Sequence, residues 1–152
     1  KAQAKRARSE AGCEPEQTPP SGLLADIPLA LPGLTRAVKL QARAASVGFD
    51  WNDARLVLEK IREETEELEA VLNSGGSEEI EDEAGDLLFA VANFCRHAHA
   101  DPEAAIRRAN AKFERRFGFI EETLAQQGRS PAEAGLEEME SLWERAKRSE
   151  TG

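Results

Sequence analysis

The chain has 152 residues, of which 32 % are charged and 5 % aromatic, with no tyrosine and a net charge of -9. That length suits one domain with a real core, and the composition favours helices over sheets, which draw on aromatic and β-branched residues. The negative balance, with a pI near 4.9, excludes a general nucleic-acid binder, and the longest apolar run, about nine residues, falls short of the ~20 needed to span a bilayer.

Residues 1–24 hold Pro15, Pro19, Pro20, Gly12 and Gly22 with few large apolar groups, the composition of a flexible leader or linker. Its basic start (Lys1, Lys5, Arg6, Arg8) is not followed by the apolar core of a signal peptide. Because it begins at Lys1, the chain reads as an excerpt of a longer protein, with one domain over 25–152. Cys13 in the polar leader and Cys95 in an apolar run do not form a disulfide framework, and a reducing cytoplasm fits.

Asp26 to Pro32 reads as an extended lead-in. Pro32 then opens a helix to about Val47, with Leu34, Val38, Ala42 and Ala45 at helical spacing and Gly48 as its stop. Asn52 is the expected N-cap of the next helix, with Trp51 before it and Leu56 at the staple position.

That helix opens the stretch that concentrates the charge. From Glu59 to Asp86 there are twelve acids and two bases, Lys60 and Arg62, so nearly all of the net charge is local. On a helical wheel of about 100° per residue, Val57, Ile61, Leu68 and Leu72 form an apolar stripe with Glu64 inside it and Glu67 on its shoulder. After the Gly75-Gly76 break, Ile80, Ala84, Leu87, Val91 and Phe94 form a second stripe, with Glu83 at its edge and Asp86 one turn out. Phe89 lies opposite. Such a helix, running to about Ala98 and apolar almost all round at its centre, predicts burial on more than one side and therefore a second subunit.

Glu64/Glu67 and Glu83/Asp86 are i, i+3 pairs, neighbours on a helix surface, and the short turn 73–77 makes the two helices antiparallel. Four inward carboxylates converge on one place. A charge facing a core is costly unless compensated, and a hard divalent cation held by carboxylates and substrate phosphates supplies the compensation. The bland alternative is an acidic hairpin with solvated faces.

Asp101-Pro102-Glu103 starts a further helix to about Gln127, with Ile106, Ala109, Phe113, Phe117, Ile120 and Leu124 toward the core. Lys112 and Arg116 flank that stripe within the only concentrated positive charge of the folded part. Gly128 stops it, Ser130-Pro131-Ala132-Glu133 has capping-box form, and a last helix from about Leu136 to Arg148 presents Met139, Leu142, Trp143 and Ala146.

Acids and basic edge together read as halves of a phosphate site. The acids hold metal, Lys112 and Arg116 take remaining phosphate charge, and a carboxylate such as Glu63 removes a proton from attacking water. No Ser/His/Asp or Cys/His arrangement and no Gly-rich phosphate loop is present. His97 and His99 read as surface or packing residues. Asn93, the one polar group in LLFAVANFC, reads equally as an orienter of a ligand carboxylate or water and as a satisfied structural amide.

These residues resemble a known family. Glu63-Glu64-x-x-Glu67 followed by Glu83-x-x-Asp86, with GDLLFAVANFCRH, RANAKFERRF, VGFDW and LEEMESLWERAK, is similar to the C-terminal module of MazG-type nucleoside triphosphate pyrophosphohydrolases. The resemblance runs from about Asp26 to the end. It implies an all-α antiparallel bundle of about five helices that dimerises, and hydrolysis of NTPs or dNTPs to monophosphate and pyrophosphate with Mg²⁺, or Mn²⁺ in its place. It further implies Glu64, Glu67, Glu83 and Asp86 as metal ligands and Lys60, Lys112, Arg116 and Trp143 as nucleotide contacts. Glu79-Ile80-Glu81-Asp82 departs from relatives that carry a lysine there. Other readings are a related all-α pyrophosphatase acting on another nucleotide, such as phosphoribosyl-ATP or dUTP, and a non-catalytic helical regulatory or dimerisation module. A di-iron bundle is set aside for want of Glu-x-x-His pairs.

Overall fold

The computed structural model of the chain describes residues 22–151, so the leader lies largely outside the described residues. Among them there are five α-helices and no strand: α1 (Gly33–Ala45), α2 (Ala54–Leu72), α3 (Ser77–His97), α4 (Pro102–Ala125) and α5 (Leu136–Glu150). A single 3-10 turn, Pro131–Glu133, precedes α5.

Two helical hairpins organise the chain. In the first, α2 and α3 pack along each other, and α1 lies against α3. The turn between α2 and α3 is tight because the Gly75 N–H donates to the Val71 carbonyl at 2.7 Å. A Cβ on Gly75 would stand 2.8 Å from that oxygen, so glycine is required there.

In the second hairpin, α4 and α5 enclose Ile120, Leu124 and Leu142, with Phe117, Met139 and Trp143 packed around them. Gly128, at φ +67°, turns the chain in the left-handed region after α4. Arg129 donates to both oxygens of Glu138, at 2.6 and 2.8 Å, and Ser130 and Glu133 close a capping box. These contacts fix where α5 starts.

Several faces differ from the sequence expectation. Residues 22–30 form turns rather than an extended lead-in, with Ile27 buried. On α1 the buried positions are Ala37 and Gln41, whereas Ala42 is exposed. The face is rotated because Gln41 reaches across to the Phe89 carbonyl of α3, at 3.2 Å. The cap of α2 is Asp53, whose side chain accepts from the Arg55 N–H, so Asn52 is not the cap and the staple position moves off Trp51.

On α3 the buried residues are Ala90, Ala92, Asn93 and Cys95, while Leu88, Phe89 and Val91 are exposed. Small side chains allow α1 and α2 to come close; the large ones face outward. The first half of α4 is likewise bare, with Ile106, Ala109 and Phe113 exposed, because α5 covers the half that holds Ile120 and Leu124.

Candidate metal and nucleotide site

The Asp53 cap sets the phase of α2, and that phase buries Val57 and Glu64. Glu64 enters the groove between α2 and α3. There, Glu64, Glu83 and Asp86 each bring one carboxylate oxygen to a common place, these atoms all lying within 4.8 Å of one another. Glu64 Oε2 and Glu83 Oε2 are buried with no hydrogen-bond partner. A buried acceptor left unpaired carries its desolvation penalty undiminished.

One base stands nearby. Lys60 Nζ lies 2.5 Å from Glu64 Oε1 and 3.5 Å from Glu63 Oε2, one turn apart on α2. Those carboxylates raise the Lys60 pKa, Glu64 most. The lysine satisfies one oxygen and leaves the others facing each other.

Glu67 is exposed and is not among the three converging carboxylates. The charge on Glu64 raises its pKa first, with desolvation and the charge on Glu83 adding to it. It therefore sits within the field of the cluster. Glu63 is exposed beside Lys60.

All-oxygen donors, two of them orphaned in a buried place, fit a hard divalent cation such as Mg²⁺ or Mn²⁺. A cation there would replace repulsion among like charges with coordination. Glu64, Glu83 and Asp86 are the residues positioned to hold it.

The basic edge lies elsewhere in the chain. Arg116 stacks over Trp143, its Cζ 5.4 Å from the ring centroid, and Phe113 lies 5.4 Å from the same ring. Arg116 Nη2 donates to Glu150 Oε2 at 2.9 Å and Arg115 Nε to Glu150 Oε1 at 2.9 Å, holding the Glu150 carboxyl below its ordinary range. Lys112 is exposed. Among the described residues no hydrogen bond or ion pair joins Lys112, Arg116 or Trp143 to the acids of α2 and α3.

A cavity of about 200 Å³ opens beside the carboxylates, its lining including Lys60, Glu64 and Asp86 together with Gln41, Trp51 and Asn93. Gln41 and Trp51 were missed as site residues. Gln41 was not among the stripe residues expected for α1, its burial following from the Phe89 carbonyl of α3; Trp51 was masked by the staple expected from a cap at Asn52.

A family model of the MazG nucleotide pyrophosphohydrolase domain matches residues 53–118. The chain is 43 % identical over 132 residues to a nucleoside triphosphate pyrophosphohydrolase of Escherichia coli (strain K12), covering 84 % of this chain and 49 % of that protein. It is 39 % identical over 127 residues to the nucleoside triphosphate pyrophosphohydrolase/pyrophosphatase MazG of Thermotoga maritima, with the same shares of 84 % and 49 %. To the uncharacterized protein YabN of Bacillus subtilis (strain 168) it is 42 % identical over 136 residues, 89 % of this chain and 28 % of that one. The chain thus spans about half the length, or less, of these relatives. The matched interval opens on the Asp53 cap and encloses the converging acids, Lys60, Lys112 and Arg116; the chain belongs to the MazG nucleotide pyrophosphohydrolase family.

Proposed function

We propose that this chain hydrolyses nucleoside triphosphates, NTPs or dNTPs, to the monophosphate and pyrophosphate by water attack at the α-phosphorus, with Mg²⁺ or Mn²⁺ as cofactor. The observation that carries the reading is the pair of buried, unpartnered oxygens on Glu64 and Glu83 beside Asp86. The Escherichia coli and Thermotoga relatives, both named as nucleoside triphosphate pyrophosphohydrolases, support it.

Glu64, Glu83 and Asp86 would hold the cation, with Glu67 completing the set from one turn along α2. Bound there, the cation supplies Lewis-acid neutralisation of phosphate charge. Lys60, beside Glu63 and Glu64 on α2, would contact the phosphates. Glu63, solvated and adjacent, accepts the proton of the attacking water.

Lys112, Arg116 and Trp143 complete the site from a second copy of the chain. The exposed apolar faces of α3 and α4, Leu88, Phe89, Val91, Ile106 and Phe113, are the surfaces that a homodimer would cover. No helix among the described residues is long and apolar enough to cross a membrane.

The test is incubation with each NTP and dNTP, with Mg²⁺, Mn²⁺ or chelator, and separate measurement of pyrophosphate and orthophosphate. Metal-dependent pyrophosphate is the expected product. Orthophosphate alone, or turnover unaffected by chelator, contradicts the mechanism.

A further inference from the structure

From Arg107 to Arg116 there are five bases. Among the described residues only Arg115 and Arg116 of that run are paired, and both pair with Glu150. Glu150 is the last residue of α5 and stands 34 positions from Arg116, so the packing of α5 on α4 sets the pairing. One carboxylate serves two cations. Arg115 Nε donates to Oε1 at 2.9 Å, and Arg116 donates to Oε2 from Nε at 3.1 Å and from Nη2 at 2.9 Å.

These contacts leave Arg116 one open edge. A guanidinium carries its five N–H donors in one plane. Glu150 occupies the Nε side of that plane, and the Trp143 ring lies against a face, 5.4 Å from Cζ to centroid. Nη1 has no hydrogen-bond partner among the described residues. With the remaining hydrogen of Nη2 it forms the fork that matches two oxygens of a phosphate. The Arg116 side chain is 17 % exposed, against 59 % for Arg115. A long cation held on two sides loses little further freedom when an anion arrives.

Charge decides whether Glu150 helps or competes. A lone Arg–Glu pair is neutral and draws an anion weakly. Here Arg115 adds a second cation on the other carboxylate oxygen, so the cluster keeps a net positive charge beside the open edge of Arg116. Hydrogen bonds from Arg116 and then Arg115 hold the Glu150 carboxyl below its ordinary range, which keeps it ionised.

We infer that Glu150 is a positioning residue for phosphate recognition: it clamps the Nε edge of Arg116 beside Trp143 and leaves the Nη1/Nη2 edge to the substrate, while Arg115 balances its charge. The inference rests on the proposed contact between Arg116 and the nucleotide, and adds which edge makes that contact and what holds it.

The experiment is a double-mutant cycle read in binding, so it does not depend on turnover. Calorimetry with Mg²⁺ measures the affinity of the full chain for an α,β-methylene nucleoside triphosphate, which cannot be cleaved at the α-phosphorus. Glu150→Ala, at a helix end where alanine keeps the helix, is expected to weaken binding about 10-fold, worth about 1.4 kcal/mol. Arg116→Lys is expected to weaken it as well. A lysine has no planar edge to hold, so Glu150→Ala added to Arg116→Lys should change affinity by less than about 2-fold. A purely structural role, anchoring the end of α5, would instead subtract equally in both backgrounds.

Equal losses in the two backgrounds overturn the inference. So does unchanged or tighter binding in Glu150→Ala, the latter making the carboxylate a competitor of phosphate. Wild-type affinity in Arg116→Lys, or no binding by the wild type, overturns it together with the contact on which it rests. Failure of the wild type to release pyrophosphate would refute the proposed activity and leave the binding cycle standing.

Discussion

Lys60 Nζ lies 2.5 Å from Glu64 Oε1, while the other oxygen of the same carboxylate is buried with no partner. Half of Glu64 is thus neutralised from within its own helix and half is directed at Glu83 and Asp86. Glu64→Gln removes a ligand charge and keeps the shape. Turnover should fall by more than about 100-fold, the upper range for losing an outer-sphere partner of a metal, while the thermal midpoint of the metal-free protein holds or rises.

Removing the lysine acts in the opposite sense. Lys60→Met strips a buried carboxylate of its counter-charge, which should cost roughly 1–3 kcal/mol without metal. Saturating Mg²⁺ at 100 times its Kd returns about 2.7 kcal/mol by mass action. Thermal melts with and without Mg²⁺ should show the variant gaining more from the ion than the wild type; equal gains contradict the pairing.

If acids and basic edge meet across a dimer, two inactive variants should repair each other. Glu64→Gln mixed with Arg116→Ala gives heterodimers with one intact site each, so random exchange should restore roughly a quarter of wild-type activity. Activity that stays at the level of the separate variants would place both groups in the same subunit.

Leu124, with no exposed surface, sits between Ile120 and Leu142 in the core of the second hairpin. Leu124→Ala should cost about 2–5 kcal/mol in urea unfolding.

The hairpin also carries an acid sensitivity. Arg129 lowers the Glu138 pKa, the Ser130 N–H and hydroxyl lower Glu133, and Arg116 with Arg115 lowers Glu150. A carboxylate with a depressed folded pKa adds stability that is complete above its ordinary value of 4.5 and is lost as pH falls through the folded value. Acid unfolding below pH 4.5 should therefore be shallower in Glu138→Gln, because that variant has already lost the pair at neutral pH. Midpoints by circular dichroism from pH 6 to 2 test this.

Glu64 was legible because a charge inside an apolar stripe contradicts its surroundings, and the pairing of α2 with α3 followed from a five-residue gap containing two glycines. The faces of α1 and α3 were not. A wheel weights large apolar groups, and on α3 the interior went to Ala90, Ala92 and Asn93 while Leu88, Phe89 and Val91 stayed outside. Close helix approach rewards small residues, and nothing local reveals that. Gln41 was hidden for a related reason: its burial depends on the Phe89 carbonyl, 48 residues away. The one-residue shift of the cap from Asn52 to Asp53 concealed Trp51, since a side-chain oxygen at either position caps a helix equally well on paper.

Crystals soaked in Mn²⁺ and measured at its absorption edge give the most direct test of the site. A cation held by these residues gives an anomalous peak at coordination distance from Glu64, Glu83 and Asp86, lost in Glu64→Gln. Ordered Glu64 and Glu83 carboxylates with no peak between them at millimolar Mn²⁺, or a peak bound only elsewhere, would contradict a cation site there.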